Sequence, residues 1–271
     1  MQMQVESVYG SAVTWAARIG IQGTDILAFC QVEDRKKLEA TEALMRLHAR
    51  MVPLQKALDE VTAAVEQGFQ EYTSKGNGFD WGKPLQNIPS VPDLLSRGEG
   101  FLQSAKIAIA ATTDVIGVFY GKQFDHRFNR LVDWASQEFG ANDDFAKNAK
   151  ISESFVKEVL TFRDAIEHPA SGRFFVTNIQ INDHKGRWLF HNPEWGIEGN
   201  VPTDMLICMA RIIEEIVQIS ESFVIGLFIK LKYAELPFHI EEIPVELRDP
   251  QCPVRYRAVP SFADCSIDIR S

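Results

Sequence analysis

The chain has 271 residues, 45% of them hydrophobic and 24% charged, with a formal net charge of −9 at pH 7. That length and composition fit a globular protein with a substantial core, as one large domain or a domain with additions. The acidity argues against a broad basic surface for duplex nucleic acid, while leaving room for a local basic groove.

Residues 1–35 read as a packed N-terminal arm with some helix. Trp15, Ile19, Ile21 and Ile26 supply apolar mass, and Gly10, Gly20 and Gly23 interrupt the helical spacing. From about 35 to 72 the pattern becomes helical, with Leu38, Leu44, Leu47, Val52, Leu58, Val61 and Val65 along one stripe. Pro53 falls inside it and predicts a kink or break, because proline removes a helical donor. The stretch 74–77 ends this element, and 76–92, rich in Gly and Pro, reads as a long loop.

A second helix is expected from Pro92 or Asp93 to Tyr120, weakened locally by Gly98, Gly100 and Gly117. Leu94, Leu95, Phe101, Leu102, Ile107 and Ile109 favour its burial, and its alanines permit close helix approach. A shorter helix follows over about 125–139, with Phe128, Leu131, Val132 and Ala135 as its apolar side and Gly140 as its stop. The next opens at Asn142 or Asp143, both good capping types, and runs to His168, where Pro169 ends it.

Beyond it the character changes. Residues 173–181 and 187–190 are rich in β-branched and aromatic types and are separated by turn chemistry, which predicts a hairpin over about 173–191. Residues 191–202 then lead into a long helix over about 203–233. Its apolar coverage is broader than one stripe, as in a helix touching several neighbours or lying at a subunit interface. From Pro237 the chain is rich in proline and reads as an extended tail. The expected organisation is an arm (1–35), a helical domain (36–236) and a tail (237–271).

One segment stands out chemically: Arg163, Asp164, Glu167 and His168 lie within six residues at a helix end, just before Pro169. On a regular helix Arg163 and His168 point roughly 140° apart. Only unwinding ahead of Pro169 would let them converge. A converged pair could cleave RNA, with His168 moving a proton to or from the ribose and leaving oxygens and Arg163 holding the phosphate. Asp164 would orient either group. The structural alternative is equally concrete: Arg163 and Glu167 stand at i, i+4 and can form an ion pair, while His168 caps the last carbonyls.

The run R-D-A-I-E-H resembles the Arg-x4–6-His motif of the HEPN superfamily, small α-helical bundles common in prokaryotes. The order of elements around it is similar too: helices before, the motif near a helix end, then a long helix. The hairpin between them resembles an insertion found in some bacterial HEPN-like proteins. The resemblance covers about residues 35–235. It implies a mainly α fold, an up-and-down helical bundle with a small β-hairpin insertion and an extended tail. It also implies a metal-independent endoribonuclease of toxin or defence type, working as a homodimer on RNA, with an antitoxin as possible partner. On that basis Arg163 would contact phosphate, Asp164 would be the variable polar position and His168 the catalytic histidine. Asn is commoner in the family at the position of Asp164, and an added carboxylate beside a phosphate is unfavourable.

The competing expectation is a non-catalytic helical module that dimerises or binds a partner or nucleotide. A third, weaker reading is a metal-dependent hydrolase using Asp183, His184, His191 and Glu194, whose spacing matches no established site. Trp81, Trp188 and Trp195 offer base-stacking surface or, more commonly, loop anchors. His48, beside its helix's apolar stripe, reads as a packing residue. Asp125 to Arg127 reads as a helix start. Walker, dinucleotide and G-x-S-x-G signatures are missing, so no cofactor or metal is expected. Of the cysteines, Cys208 fits a buried thiol, and Cys252 and Cys265 could approach one another. Neither an export signal nor a membrane-length apolar run is read, so a soluble cytoplasmic protein is expected.

Overall fold

The computed structural model describes residues 9–74, 89–169, 172–184, 187–231 and 238–260, without the side chains of 182–188. Over these residues the protein is mainly α, as expected, with small antiparallel sheets. A π-helical segment, Ala16–Gln22, runs into α1 (Gly23–Ala28). There follow α2 (Asp34–Ser74), α3 (Leu94–Ala111), α4 (Asp114–Tyr120), α5 (Phe128–Phe139) and α6 (Asp144–Glu167). Five short strands come next: β1 (Phe174–Thr177), β2 (Gln180–His184), β3 (Arg187–His191), β4 (Glu194–Ile197) and β5 (Thr203–Asp204). The long helix α7 (Met205–Lys230) and the strands β6 (Phe238–Glu242) and β7 (Tyr256–Pro260) complete the order.

Several boundaries depart from the sequence reading. Helix α2 continues through Pro53 without a break. The proline ring is exposed, and Met51 and Leu54 on either side are fully buried, so packing holds the turns that flank the missing donor. The stretch 94–120, expected as one helix, is interrupted at Thr112 and Thr113. Their hydroxyls donate to the carbonyls of Ile109 (2.7 Å) and Ala110 (2.9 Å), and Thr113 also reaches Phe124 (3.2 Å). Among the described residues, 94–120 is the stretch long and apolar enough to cross a membrane by length and composition. Half of its window is buried inside the protein, which is the pattern of a core helix. Gly140 closes α5 at φ 95°, a backbone state that side chains disfavour. Asp143 starts α6 by accepting from the Phe145 N–H (2.9 Å) and pairs with Lys230, whose hydrogen bond holds its carboxyl below the ordinary carboxylate range.

The chain divides into two compact units. One comprises 1–52, 108–156 and 215–271; the other comprises 53–107 and 157–214. Helices α2, α3, α6 and α7 each give a part to both.

In the first unit, α5, α6 and α7 meet through rings: Phe223 lies 5.9 Å from Phe128 and 5.6 Å from Phe145. Gly226 permits this approach, since a Cβ there would run into the Phe145 ring. The N-terminal segment is locked to α7 by a buried polar network. Arg18 donates to both carboxylate oxygens of Glu221 (3.1 and 2.6 Å), and Gln22 donates to the same carboxylate (2.7 Å). The Gln22 side-chain oxygen Oε1 in turn accepts from the backbone N–H groups of Arg255 (2.5 Å) and Tyr256 (2.7 Å). Arg18, Gln22 and Glu221 are all buried. The tail is therefore more than extended: β6 and β7 pair antiparallel from Phe238↔Pro260 to Glu242↔Tyr256, and Gln22 grips the returning strand.

In the second unit, Trp195 is fully buried among Phe101, Phe162 and Phe174, at 5.8 to 6.0 Å between ring centres. The expected hairpin exists as β2–β3, paired from Gln180↔His191 to His184↔Arg187. Residues 174–177 do not belong to it. They form β1, which pairs with β4 in a separate sheet of order β1-β4-β5, where the sequence reading had a connector. Asn178 marks the division: its carboxamide exchanges hydrogen bonds with the backbone of Val91 (2.9 and 2.8 Å) and also caps the Ile179 N–H.

Removing one member of a buried charged network leaves the others unpaired, at about 3–5 kcal/mol. Glu221→Ala is therefore expected to lower the unfolding free energy obtained from urea denaturation by that much, and Arg18→Leu combined with Glu221→Leu to recover part of the loss. A single variant as stable as the wild-type chain would show that the network contributes little.

Candidate functional site

The Arg163–His168 segment forms the last turn of α6, in the second unit. Phe162 fixes this turn by packing against Phe174 (6.2 Å) and Trp195 (5.8 Å), and Ala165 is buried beneath it. The expected unwinding ahead of Pro169 does not take place. The His168 N–H still donates to the Asp164 carbonyl at 2.7 Å, an ordinary i to i−4 helical bond. With proline following, the restriction on His168 is met by ending the helix at Glu167, with the turn before it left closed.

Because the turn stays regular, the segment sorts into two pairs on different faces. Arg163 is 12% exposed and forms an ion pair with Glu167, one turn on. Its Nε also donates to the Gln103 side-chain oxygen on α3 (3.2 Å). Asp164 and His168, again one turn apart, are exposed. Among the described residues no hydrogen bond or ion pair joins Arg163 to His168. The guanidinium is thus neutralised by a carboxylate and anchored to a neighbouring helix, and a phosphate would have to displace Glu167 to reach it. Asp164 adds a second negative charge on the outer face, next to the imidazole. The arrangement suits a helix terminus fastened to α3 better than a phosphate site.

The other candidates also find their places. His184 and His191 sit at opposite ends of the β2–β3 hairpin, since His191 pairs with Gln180, four residues before His184. At strand spacing that is roughly 13 Å, too far for one ion. Among the described residues no group of three His, Cys, Asp or Glu side chains could hold a metal, and the side chains of Asp183 and His184 lie outside them. Trp195 is sealed in the core and offers no face to a base; Trp81 and the Trp188 side chain lie outside the described residues. Asp125 accepts from the Arg127 N–H (2.7 Å) just before α5. Cys208 is buried as expected, and burial raises the thiol of Cys30 to about 11; Cys265 lies outside the described residues.

Sequence reasoning passed over Arg18, Gln22 and Glu221. Their one visible signal is a charged residue inside an otherwise apolar stretch: Arg18 among Trp15, Ile19 and Ile26, and Glu221 beside Phe223.

Arg163→Ala is expected to destabilise the chain by about 1 kcal/mol, through loss of the packing of its largely buried side chain and of its bonds to the exposed Glu167 and Gln103. His168→Ala should stay within about 0.5 kcal/mol of the wild type. Thermal melting of both variants checks this, and the reverse order would mean that His168, not Arg163, holds the helix end.

No protein-family model, curated protein or solved structure matches the chain.

Proposed function

We propose that this is a HEPN-like helical protein that acts as a non-catalytic binding module, with the Arg163 segment serving to fasten the end of α6. The observation that carries this reading is the occupancy of Arg163 by Glu167 and Gln103, with His168 on another face of an unbroken helical turn. A general acid–base group and a phosphate-holding group must meet at one substrate, and here they diverge. The second unit also presents Val201 and Ile207 strongly exposed around the start of α7, which supports contact with a partner, a second copy of the chain included.

A ribonuclease reading retains one observation in its favour: Asp164 and His168 stand exposed at a helix end, where the arginine of another copy could reach them. The two readings separate cleanly. Purified protein incubated with mixed RNA in EDTA is expected to leave the RNA intact, and His168→Ala is expected to behave as the wild type does. Cleavage that survives EDTA and disappears in His168→Ala would replace the binding reading with the nuclease.

A further inference from the structure

A cavity in the first unit is lined by none of Arg163, Asp164 and His168, which belong to the other unit. The π-helical segment and α1 stand against α2 around a cavity of about 440 Å³, within the range of small-molecule sites. His48 lines it and is 8% exposed. Its Nδ1 is sealed from solvent and has no hydrogen-bond partner, and the Thr24 hydroxyl in the same wall is in the same condition. Trp15 packs on the His48 ring at 4.7 Å between centres and holds its orientation. The ring's other edge faces Gly20: a Cβ on that glycine would stand 3.4 Å from Cδ2 and 4.0 Å from Nε2. A larger residue at position 20 would fill this side of the cavity.

These facts restrict what can bind. Burial lowers the pKa of His48, so the ring is neutral at pH 7 and carries one proton. A sealed N–H without an acceptor is costlier than a sealed lone pair, so the proton belongs on Nε2, facing the cavity. His48 therefore offers a donor and calls for an acceptor on the ligand. Asp25, at the exposed rim, offers a carboxylate and calls for a donor. Among the described residues no lysine or arginine lines the cavity, and an anion meets repulsion from Asp25. Ala16, Ile21 and Met45 give the rest of the wall an apolar surface suited to a flat body.

We propose that this cavity binds an uncharged aminoheterocycle, a nucleobase or nucleoside, with a ring acceptor on His48 and an exocyclic amine on Asp25. The binding is non-covalent and independent of the reading given for the Arg163 segment, which lies in the other unit. Adenosine is the probe, titrated into the full chain and followed by ligand-observed NMR and by tryptophan fluorescence. Adenosine is expected to bind saturably. Inosine, which lacks the exocyclic amine, should bind about tenfold more weakly through loss of a hydrogen bond to a charged group. AMP should bind more weakly than adenosine, having no cation to meet its phosphate. Gly20→Leu should abolish binding. Asp25→Ala, at an exposed position that spares folding, should erase the difference between adenosine and inosine. Absence of adenosine binding, AMP binding as tightly as adenosine, or equal affinity for inosine in the wild-type chain would each overturn the assignment.

Discussion

A carboxylate buried in the middle of an apolar helix is the constraint around which the first unit is organised. Glu221 has no route to water, so its charge must be met inside the protein, and Arg18 and Gln22 meet it from the N-terminal segment. That requirement fixes more than one contact. Arg18 and Gln22, four residues apart in the π-helical segment Ala16–Gln22, both reach the same carboxylate. The side-chain oxygen of Gln22 then accepts from the backbone of Arg255 and Tyr256, where β7 begins. Residues 16–22 and the strand that opens at Tyr256 are thereby bound to α7 through one buried acid. Such a network adds little net stability compared with an apolar equivalent, but breaking it is costly, and that asymmetry ties the partners to one arrangement.

The same π-helical segment presents Gly20 to His48 and forms one side of the cavity there. Segments of this kind recur at functional sites because the extra residue per turn displaces side chains from regular helical positions. Here the displacement has two results on opposite demands: one set of side chains is fully satisfied by Glu221, while His48 and Thr24 keep buried polar atoms without partners. Buried polar atoms of this kind ordinarily have an explanation; at His48 the neutral tautomer leaves the sealed Nδ1 as a bare lone pair and puts the ring's one proton on Nε2.

At the end of α6, chemistry that is suggestive as a string of letters becomes mechanical in three dimensions. Spacing decides it. Residues four apart on a helix are neighbours, so Arg163 finds Glu167 and Asp164 shares a face with His168; residues five apart are not. Only loss of the last helical bond could have changed that, and the His168 N–H keeps it.

By itself the sequence determined what depends on local preferences and periodicity. The helical class, the stop at Gly140, the start at Asp143, the end of α6 before Pro169, the β2–β3 hairpin and the broad burial of α7 were all legible, because each is set by residues within a few turns of one another. Tertiary structure alone decided the rest. Pro53 is carried through α2 by the burial of Met51 and Leu54, and residues 194–197 become a strand because β1 offers them an edge. The proline-rich tail becomes a hairpin gripped by Gln22, across more than two hundred residues of sequence. Whether Arg18 and Glu221 are surface charges or a buried pair depends on which elements meet, and pairings between distant segments leave no periodic trace in the chain.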